Sequence, residues 1–335
     1  MSLYGSDKPD TRLAMPITDI THLVTPSLRS MLTDIPSPTI EALKISILDP
    51  SDAHVTRAFM KSCTNSAFGS TAMSNPDGSP GVFVIDPRQP LQGLAAFGFE
   101  AADAVTSALS LDEGDLLVLQ ARPTAPYTGG STALGNIRLA LNKAAVSEGY
   151  LPKPTGFNFL WVTDFPLFSP NEATHPGQGG SAGLSSTHHP FTAPKTAADV
   201  DRLTSAPLEV IADHYDLVVN GVELGGGSRR IHDARVQEYI LSEVLKMSPA
   251  RVADFAHLLQ VLRAGCPPHA GIALGFDRLV AVMLGRDSVR DVIAFPKTGR
   301  GEDPLVGSPA SITEGQLQTY HLEIQRAEAI GGDSL

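Results

Sequence analysis

Two β-type segments joined by an Asn-Gly dipeptide constrain the fold of this chain more than any other feature. The segments, Tyr215 to Asn220 and Val222 to Ile231, contain many apolar and β-branched residues. Asn220-Gly221 at their junction is a pair that two-residue hairpin turns prefer, because both central residues of such a turn need a positive φ. The pattern predicts a hairpin and, with the helical patterns that follow, an antiparallel sheet with helices behind it.

The second segment contains three consecutive glycines, Gly225 to Gly227, between Glu223 and Arg230. Glycine within a strand costs roughly 0.5 to 1 kcal/mol relative to alanine, so the triplet needs a reason such as ligand approach or a bulge. Glu223 could hold Mg²⁺ or a nucleotide hydroxyl, and Arg230 could bind a carboxylate. Because positions seven apart face opposite ways on a regular strand, we predict a β-bulge within the triplet. The alternative is a strand that carries a surface ion pair.

The segment His269 to Val280 combines a predicted strand with the start of a predicted helix. The strand alternation puts small residues on one face, which a flat ligand can approach, and large apolar residues on the other, which can pack on a helix. Asp277 and Arg278 begin the helix, and a guanidinium at a strand-helix junction receives phosphate well. The alternative is a glycine-rich core strand followed by an Asp277–Arg278 pair.

Residues 40 to 150 predict an accessory α+β domain, since no cluster of chemically active residues occurs there. Its predicted strands are Leu43 to Leu48, Val82 to Ile85 and Leu116 to Leu119. Three helices are predicted: the first is capped by Ser51, the second spans residues 100 to 109, and the third is capped by Ser131. Four further segments are predicted after residue 150: a strand buried on both faces at Phe157 to Val162, a flexible loop at 175 to 187, a helix starting near Asp233 and a helix capped by Ser248.

Composition narrows the possible functions. The 335 residues suffice for one large domain or two. The sequence contains no run of about 18 apolar residues, so no membrane span is predicted. The formal net charge of -11 argues against a generally basic nucleic-acid surface. Cys63 and Cys266 are too few for a disulfide framework, which favours a reducing compartment. The first residues resemble neither a secretory signal nor a transit peptide.

Motif absences exclude several enzyme classes. The adjacent His188 and His189 lie in a predicted loop, where histidines are commonly just solvated, and no zinc-ligand spacing occurs. The pattern G-x-S-x-G occurs only within the predicted loop, at Gly179 to Gly183, and the chain contains no P-loop and no dinucleotide-binding fingerprint. A hydrolase or a dehydrogenase of those types is therefore disfavoured.

Five ordered blocks resemble the C-terminal half of bacterial-type aspartyl-tRNA synthetases, a family also used in mitochondria. They are YGSDKPDTR (4 to 12), FLWVTDFPLF (159 to 168), HHPFTAPK (188 to 195), YDLVVNGVELGGGSRRIH (215 to 232) and PPHAGIALGFDRLVAVMLGRDSVRDVIAFPKT (267 to 298). The resemblance implies an α+β class II fold, an incomplete antiparallel sheet flanked by helices, with a smaller inserted α+β domain. The expected divisions are residues 1–29 (catalytic remnant), 30–150 (inserted domain), 151–320 (catalytic core) and 321–335 (tail).

The resemblance also implies a set of site residues, together with ATP and Mg²⁺. It places aspartate at His188 and Arg230, ATP at Glu223, Gly275, Phe276, Asp277 and Arg278, and the metal at Asp216 and Glu223. Arg229 departs from the family, which usually has an apolar residue at this position, and this puts the local packing in question.

The activity implied is that of an aspartate–tRNA ligase whose anticodon-binding domain and first two class II motifs are absent from this chain. Partners would be aspartate, ATP, the acceptor end of the tRNA and a second copy in a homodimer, with no membrane. The compartment would be the mitochondrial matrix, or otherwise the cytoplasm. Three alternatives stay open: a non-catalytic ATP- or tRNA-binding remnant, one half of a split enzyme, and a truncated gene model whose real product is longer.

Overall fold

A computed structural model of the chain describes residues 1–47, 52–64, 77–89, 93–127, 129–171 and 180–324. The chain divides into two compact units, Met1–Phe276 and Asp277–Leu335. The strands are β1 Ile17–Asp19, β2 Thr39–Ile45, β3 Gly81–Val84, β4 Leu116–Arg122, β5 Phe159–Thr163, β6 Phe168–Pro170, β7 Leu184–Ser186, β8 His214–Val219, β9 Val222–Arg229 and β10 Ala270–Leu274.

The α-helices are short, and 3₁₀ turns or a π-helix adjoin several of them. Their bounds are α1 Pro26–Leu32, α2 Ala53–Thr64, α3 Phe99–Leu109, α4 Ala133–Ser147, α5 Ala197–Arg202, α6 Ala234–Tyr239, α7 Pro249–Ala253, α8 Ala256–Ala264, α9 Phe276–Met283 and α10 Glu314–Thr319. A π-helix spans Ile240–Val244, and 3₁₀ turns span Thr21–Leu23, Leu94–Phe97, Pro207–Glu209 and Val289–Asp291. Within the described ranges, every helix is too short or too polar to cross a membrane.

The first sheet has the antiparallel order β1-β2-β4-β3 and is covered on both faces. One face packs Leu43 and Val118 against Ile137 of α4, and the other packs Ile40 and Leu119 in a separate core with α3. Because both faces are buried, β2 and β4 are almost continuously apolar and buried. The sheet recruits β1, which precedes residue 30, so it extends beyond the range predicted for the inserted domain.

The second sheet has the antiparallel order β10-β9-β8-β5 and is less completely covered. The predicted hairpin is present: Asn220 and Gly221, with φ of 51° and 84°, join β8 to β9. The prediction that Phe157 to Val162 is buried on both faces is wrong, because Phe159 and Trp161 are 60% and 58% exposed. The error arose because an apolar edge strand cannot be told from a central strand by its composition. On β10, Leu274 is likewise 63% exposed.

A buried arginine ties the N-terminal segment to the first sheet's helix α4. Arg138 is fully buried, and its guanidinium donates to the carbonyl oxygens of Asp10, Leu13 and Met15 at 3.0, 2.9 and 2.8 Å. Backbone contact adds to the attachment, since the Thr132 N–H donates to Gly5 O at 2.8 Å. Residues 5 to 15 therefore have a position that is set by the first sheet's domain.

Several helix starts follow the predicted capping chemistry. Asp233 and Ser248 accept hydrogen bonds from the backbone N–H groups of Arg235 and Arg251, as N-caps do. The cap of α4 is Thr132, which accepts from Gly135 N at 3.0 Å, and the prediction of Ser131 was one residue early. The predicted cap Ser51 and residues 175 to 179 of the predicted loop lie outside the described residues, whereas Leu184–Ser186, also predicted as loop, form β7. With antiparallel sheets and flanking helices, the predicted α+β class is confirmed.

In the second unit, α9 begins at Phe276, the last residue of the first unit. Asp277 lies in its first turn, where a carboxylate favours the positive end of the helix dipole. Ala281 on α9 and Leu317 on α10 are buried, and α10 begins with a capping box formed by Thr313 and Gln316.

Candidate functional site

The register of β8 and β9 places the predicted acidic residues on one sheet face. Asp216 pairs with Gly226, whereas Val218 pairs with Glu223, and the register shifts between Leu217 and Val218. The extra residue on β9 is Leu224. The irregularity therefore lies one position before the glycine triplet, whereas we predicted it within the triplet. We predicted that a bulge would bring Glu223 and Arg230 to one face. The observed shift brings Glu223 to the face that carries Asp216.

The glycine triplet is explained by close approach of neighbouring atoms. A Cβ at Gly226 would lie 2.5 Å from Asp216 Oδ1 and 3.7 Å from Glu223 Oε1. A Cβ at Gly225 or Gly227 would lie 2.2 or 2.0 Å from carbonyl oxygens of β10. Gly226 thus leaves space for two carboxylates, while its neighbours allow β10 to lie close to β9.

Lys8 from the N-terminal segment reaches the same carboxylates. Its Nζ lies 3.0 Å from Asp7 Oδ2, 3.4 Å from Asp216 Oδ2 and 3.8 Å from Glu223 Oε2. Burial opposes the ammonium charge, yet the hydrogen bond to Asp7 and the other two carboxylates raise the pKa of Lys8 above its ordinary value. The site therefore contains three carboxylates around one cation.

Asp216 is the most deeply buried member of this acidic group. One of its oxygens, Oδ1, lies 3.0 Å from His214 Nε2, while Oδ2 is buried and has no hydrogen bond from any described residue. Burial disfavours the charged carboxylate, but the His214 hydrogen bond and the Lys8 ammonium outweigh it and lower the pKa of Asp216. A buried carboxylate oxygen with no donor is a group that can accept a ligand.

The ring of His188 stacks on that of His214, with centroids 3.7 Å apart and planes 20° apart. Although part of His188 is exposed, burial of its ring and the neighbouring His214 lower its pKa to about 4. Ligand atoms of His188, His214 and Asp216 lie within 4.8 Å of one another. Since His214 already pairs with Asp216, we interpret the stack as a support for the carboxylate.

Arg230 contacts the loop that carries the two adjacent histidines. Its Nη1 lies 2.5 Å from His189 Nε2, and burial together with the guanidinium charge lowers the pKa of His189 to about 4. The neighbouring Arg229, whose packing we questioned, donates to Asp213 Oδ2 at 2.7 Å and to Pro194 O at 2.6 Å. The unusual arginine thus fastens the histidine loop to β9.

The four predicted nucleotide-binding residues after β10 are divided between the two units. The Gly275 N–H donates to Leu224 O at 2.6 Å, which places Gly275 beside the register shift, and Phe276 is 74% exposed. Asp277 and Arg278 belong to the second unit, in the first turn of α9. Of the predicted site residues, His188, Asp216, Glu223, Arg230 and Gly275 therefore belong to the first unit.

Sequence reasoning did not assign Lys8, His189 or His214 to the site. A signal existed for His214, because it alternates with Asp216 on a strand and so shares its face. His189 is next to an assigned residue. Lys8 carried no such signal, since it lies more than 200 positions from Asp216 and reaches it only through the folded position of the N-terminal segment.

The family profile described as "tRNA synthetases class II (D, K and N)" matches residues 1–299. The chain belongs to this family. Two relatives, each named mitochondrial aspartate–tRNA ligase, come from Schizosaccharomyces pombe and Homo sapiens. The first is 38% identical over 325 residues, covering 96% of this chain and 50% of that protein. The second is 38% identical over 328 residues, covering 97% and 48%.

A bacterial member of this class II family, the aspartate–tRNA ligase of Enterococcus faecalis, is 36% identical over 333 residues, which are 97% of this chain and 51% of that protein. The predicted resemblance is thereby confirmed, and the chain spans about half the length of these relatives. An aspartyl-tRNA synthetase structure from Entamoeba histolytica aligns with a TM-score of 0.33 and 18% identity, over 80% of this chain and 44% of that one.

Proposed function

We propose that this chain carries the aspartate- and ATP-binding part of an aspartate–tRNA ligase. The observation that supports this best is the convergence of Asp216 and Glu223 over Gly226, in a family member whose relatives bear that name. In the proposed reaction, the α-carboxylate of aspartate attacks the α-phosphorus of ATP in line and pyrophosphate leaves. A hydroxyl at the 3′ end of the tRNA then attacks the adenylate carbonyl, the ester forms and AMP leaves; positioning and charge stabilisation supply most of the catalysis.

Arg230 is proposed to bind the side-chain carboxylate of aspartate, with His188 beside it. A guanidinium can hold a carboxylate through two parallel hydrogen bonds. Its contact with His189 leaves this charge available, because a histidine with a pKa near 4 is neutral at pH 7. Asparagine would put a neutral amide against the half-buried Arg230 and leave its charge without a partner, which costs binding free energy. The arrangement thus favours aspartate.

Asp216 and Glu223 are proposed to hold Mg²⁺, and their chemistry fits this ion. Mg²⁺ prefers carboxylate oxygens together with substrate phosphates. Asp216 Oδ2 is buried without a hydrogen bond, and the missing Cβ of Gly226 leaves space beside both carboxylates. When bound, Mg²⁺ would neutralise charge on the triphosphate. Glu223, Gly275, Phe276, Asp277 and Arg278 are proposed ATP contacts, with Arg278 directed to the triphosphate.

The test is aspartate-dependent exchange of pyrophosphate into ATP by the purified chain. We expect exchange with aspartate, and we expect Arg230→Gln to lower it at least about 100-fold relative to the unmodified chain. Arg235→Gln is the matched control, since Arg235 is an exposed arginine paired with Asp233 and should retain exchange. If the folded chain shows no exchange at high concentration but binds ATP, a non-catalytic remnant or a split enzyme replaces this proposal.

The partner and compartment assignments are proposals as well. We propose the acceptor end of the tRNA and a second copy of the chain as partners, and the mitochondrial matrix as the compartment, which the names of two relatives suggest. Light scattering of the purified chain at several concentrations tests the homodimer. Fractionation of the source cells tests the compartment, and recovery outside mitochondria would contradict that part.

A further inference from the structure

The ammonium of Lys8 compensates only part of the acidic cluster that it contacts. Three carboxylates, those of Asp7, Asp216 and Glu223, lie within 3.8 Å of its Nζ. Adjacent carboxylates repel one another and require nearby positive charge to remain ionised. Asp216 Oδ2 accepts no hydrogen bond from the described part of the chain, so this oxygen can still bind a divalent cation.

The distances from Lys8 Nζ show that the lysine interacts differently with Asp7 and with Asp216. Lys8 donates a 3.0 Å hydrogen bond to Asp7, but its 3.4 Å distance to Asp216 Oδ2 exceeds the roughly 2.7 to 2.9 Å of a charge-assisted hydrogen bond. Lys8 therefore supplies charge to Asp216 without saturating the buried oxygen. The oxygen keeps the lone pairs that a metal ion would use.

The Lys8 side chain can leave while its backbone stays in place. It is 29% exposed, so its flexible stem has access to solvent. Its loop, in contrast, is held by two hydrogen bonds between the neighbouring Asp7 and Gly130. The Asp7 N–H donates to Gly130 O at 2.9 Å, and Asp7 Oδ2 accepts from Gly130 N at 2.9 Å.

We propose that Lys8 is a positioning residue that acts as a built-in cation. In the metal-free protein its ammonium lies between the Asp216 and Glu223 carboxylates and holds them close together, and it would leave Asp216 when a divalent cation binds there. This inference rests on the proposed function, because that function requires Mg²⁺ at these two residues. Its tests measure the lysine and the metal directly, without aspartate, ATP or tRNA.

The first test uses the unmodified chain and follows acetylation of lysine amines by mass spectrometry with increasing Mg²⁺. Displacement should raise the acetylation rate of Lys8 about threefold or more, because a released amine is more accessible than one held among carboxylates. Lys44 is an internal control, since its side chain is also 29% exposed and its Nζ lies 3.3 Å from buried Asp115. Lys44 should not respond, and NaCl at equal ionic strength should not reproduce the effect. An unchanged or slower Lys8 rate would overturn the proposal.

The second test measures Mn²⁺ binding by electron paramagnetic resonance in three variants. Lys8→Met removes the competing charge and should tighten binding about tenfold, Lys8→Arg keeps the charge and should bind near the unmodified affinity, and Lys44→Met should have no effect. Equal or weaker binding by folded Lys8→Met, or no binding by any variant, contradicts the displacement. If Lys8→Met fails to fold, the acetylation experiment decides alone.

These outcomes are distinguishable from failure of the proposed function. A chain without pyrophosphate exchange in which Mg²⁺ still releases Lys8 would retain the built-in cation and lose the ligase assignment. A chain with exchange in which Lys8 never responds would keep the ligase assignment and lose the built-in cation.

Discussion

The two sheets each bury an aspartate near a lysine, with almost the same geometry. In the first sheet Lys44 Nζ lies 3.3 Å from Asp115 Oδ2, and at the second sheet Lys8 Nζ lies 3.4 Å from Asp216 Oδ2. The lysine side chains are equally exposed, at 29%, and the aspartate side chains are 1% and 2% exposed. Any difference between the pairs must therefore come from the other groups around each carboxylate.

Those surrounding groups differ. Asp115 Oδ1 accepts from Ser46 Oγ at 2.6 Å and Oδ2 accepts from Asp112 N at 2.9 Å, so both oxygens are satisfied. Asp216 Oδ2 is buried with no hydrogen bond from the described part of the chain. A satisfied buried carboxylate stabilises its fold, whereas an unsatisfied one costs stability and is retained where a ligand completes it. The comparison indicates a stabilising role for Asp115 and supports the binding role that we propose for Asp216.

The largest expected effect is on the satisfied carboxylate. Asp115→Asn should lower the free energy of unfolding by about 3 kcal/mol, because the amide removes the charge beside Lys44 and cannot accept at both positions. Urea denaturation followed by circular dichroism measures the change. A loss below about 1 kcal/mol would remove the distinction between the two aspartates.

The second prediction concerns the space that glycine leaves beside Asp216. Gly226→Ala should cost about 2 kcal/mol, because its Cβ would lie 2.5 Å from Asp216 Oδ1 and displace a carboxylate paired with His214. Gly271→Ala on β10 is the matched control, since no atom lies within 4 Å of its added Cβ. Equal stability of the two variants in urea would show that the close contact has no energetic consequence.

A smaller effect is expected in how the free energy of unfolding depends on pH, and His189 is its predicted source. The folded protein keeps His189 neutral down to a pKa of about 4, against 6.5 for an ordinary histidine. Between those values the unfolded chain binds more protons, so stability is complete above about pH 6.5 and falls as the pH drops towards 4. His189→Gln should reduce that acid loss by about 1 kcal/mol. His54→Gln, at an exposed histidine of α2, is the control, and identical pH profiles for all three proteins would contradict the prediction.

The smallest effect on stability is expected at the unsatisfied carboxylate. Asp216→Asn should change the free energy of unfolding by less than about 1 kcal/mol, because the amide oxygen can still accept from His214 and removal of the buried charge offsets the lost attraction to Lys8. The same variant should abolish tight Mn²⁺ binding. If it destabilised the protein as much as Asp115→Asn, Asp216 would be a structural residue.

Local patterns predicted the hairpin and several caps because neighbouring residues determine them. Asn220 and Gly221 have the positive φ values that their turn requires, and Ser248 caps its helix. The bulge was foreseen from the seven-residue separation of Glu223 and Arg230, but its position at Leu224 depends on pairing with β8. Exposure of Trp161 could not be foreseen, because it depends on which strands lie beside β5.

The site was only partly predictable for a similar reason. Residues on one strand, such as Asp216 and Glu223 with its glycines, carry a pattern in the sequence. The contribution of Lys8 depends on long-range folding that no local pattern encodes. Motif resemblance located its segment, YGSDKPDTR, without giving Lys8 a role.

The three carbonyl oxygens that accept from Arg138 have a consequence for engineering. A graft that replaced the first sheet's domain with a shorter linker would remove the anchor of residues 10 to 15 and release the loop that carries Lys8. Any exchange of this domain between homologous chains should therefore transplant residues 1 to 16 and α4 as one cassette. A chimera that takes residues 1 to 16 and α4 from different chains should fold both sheets, but Lys8 should lose its position beside Asp216 and Glu223.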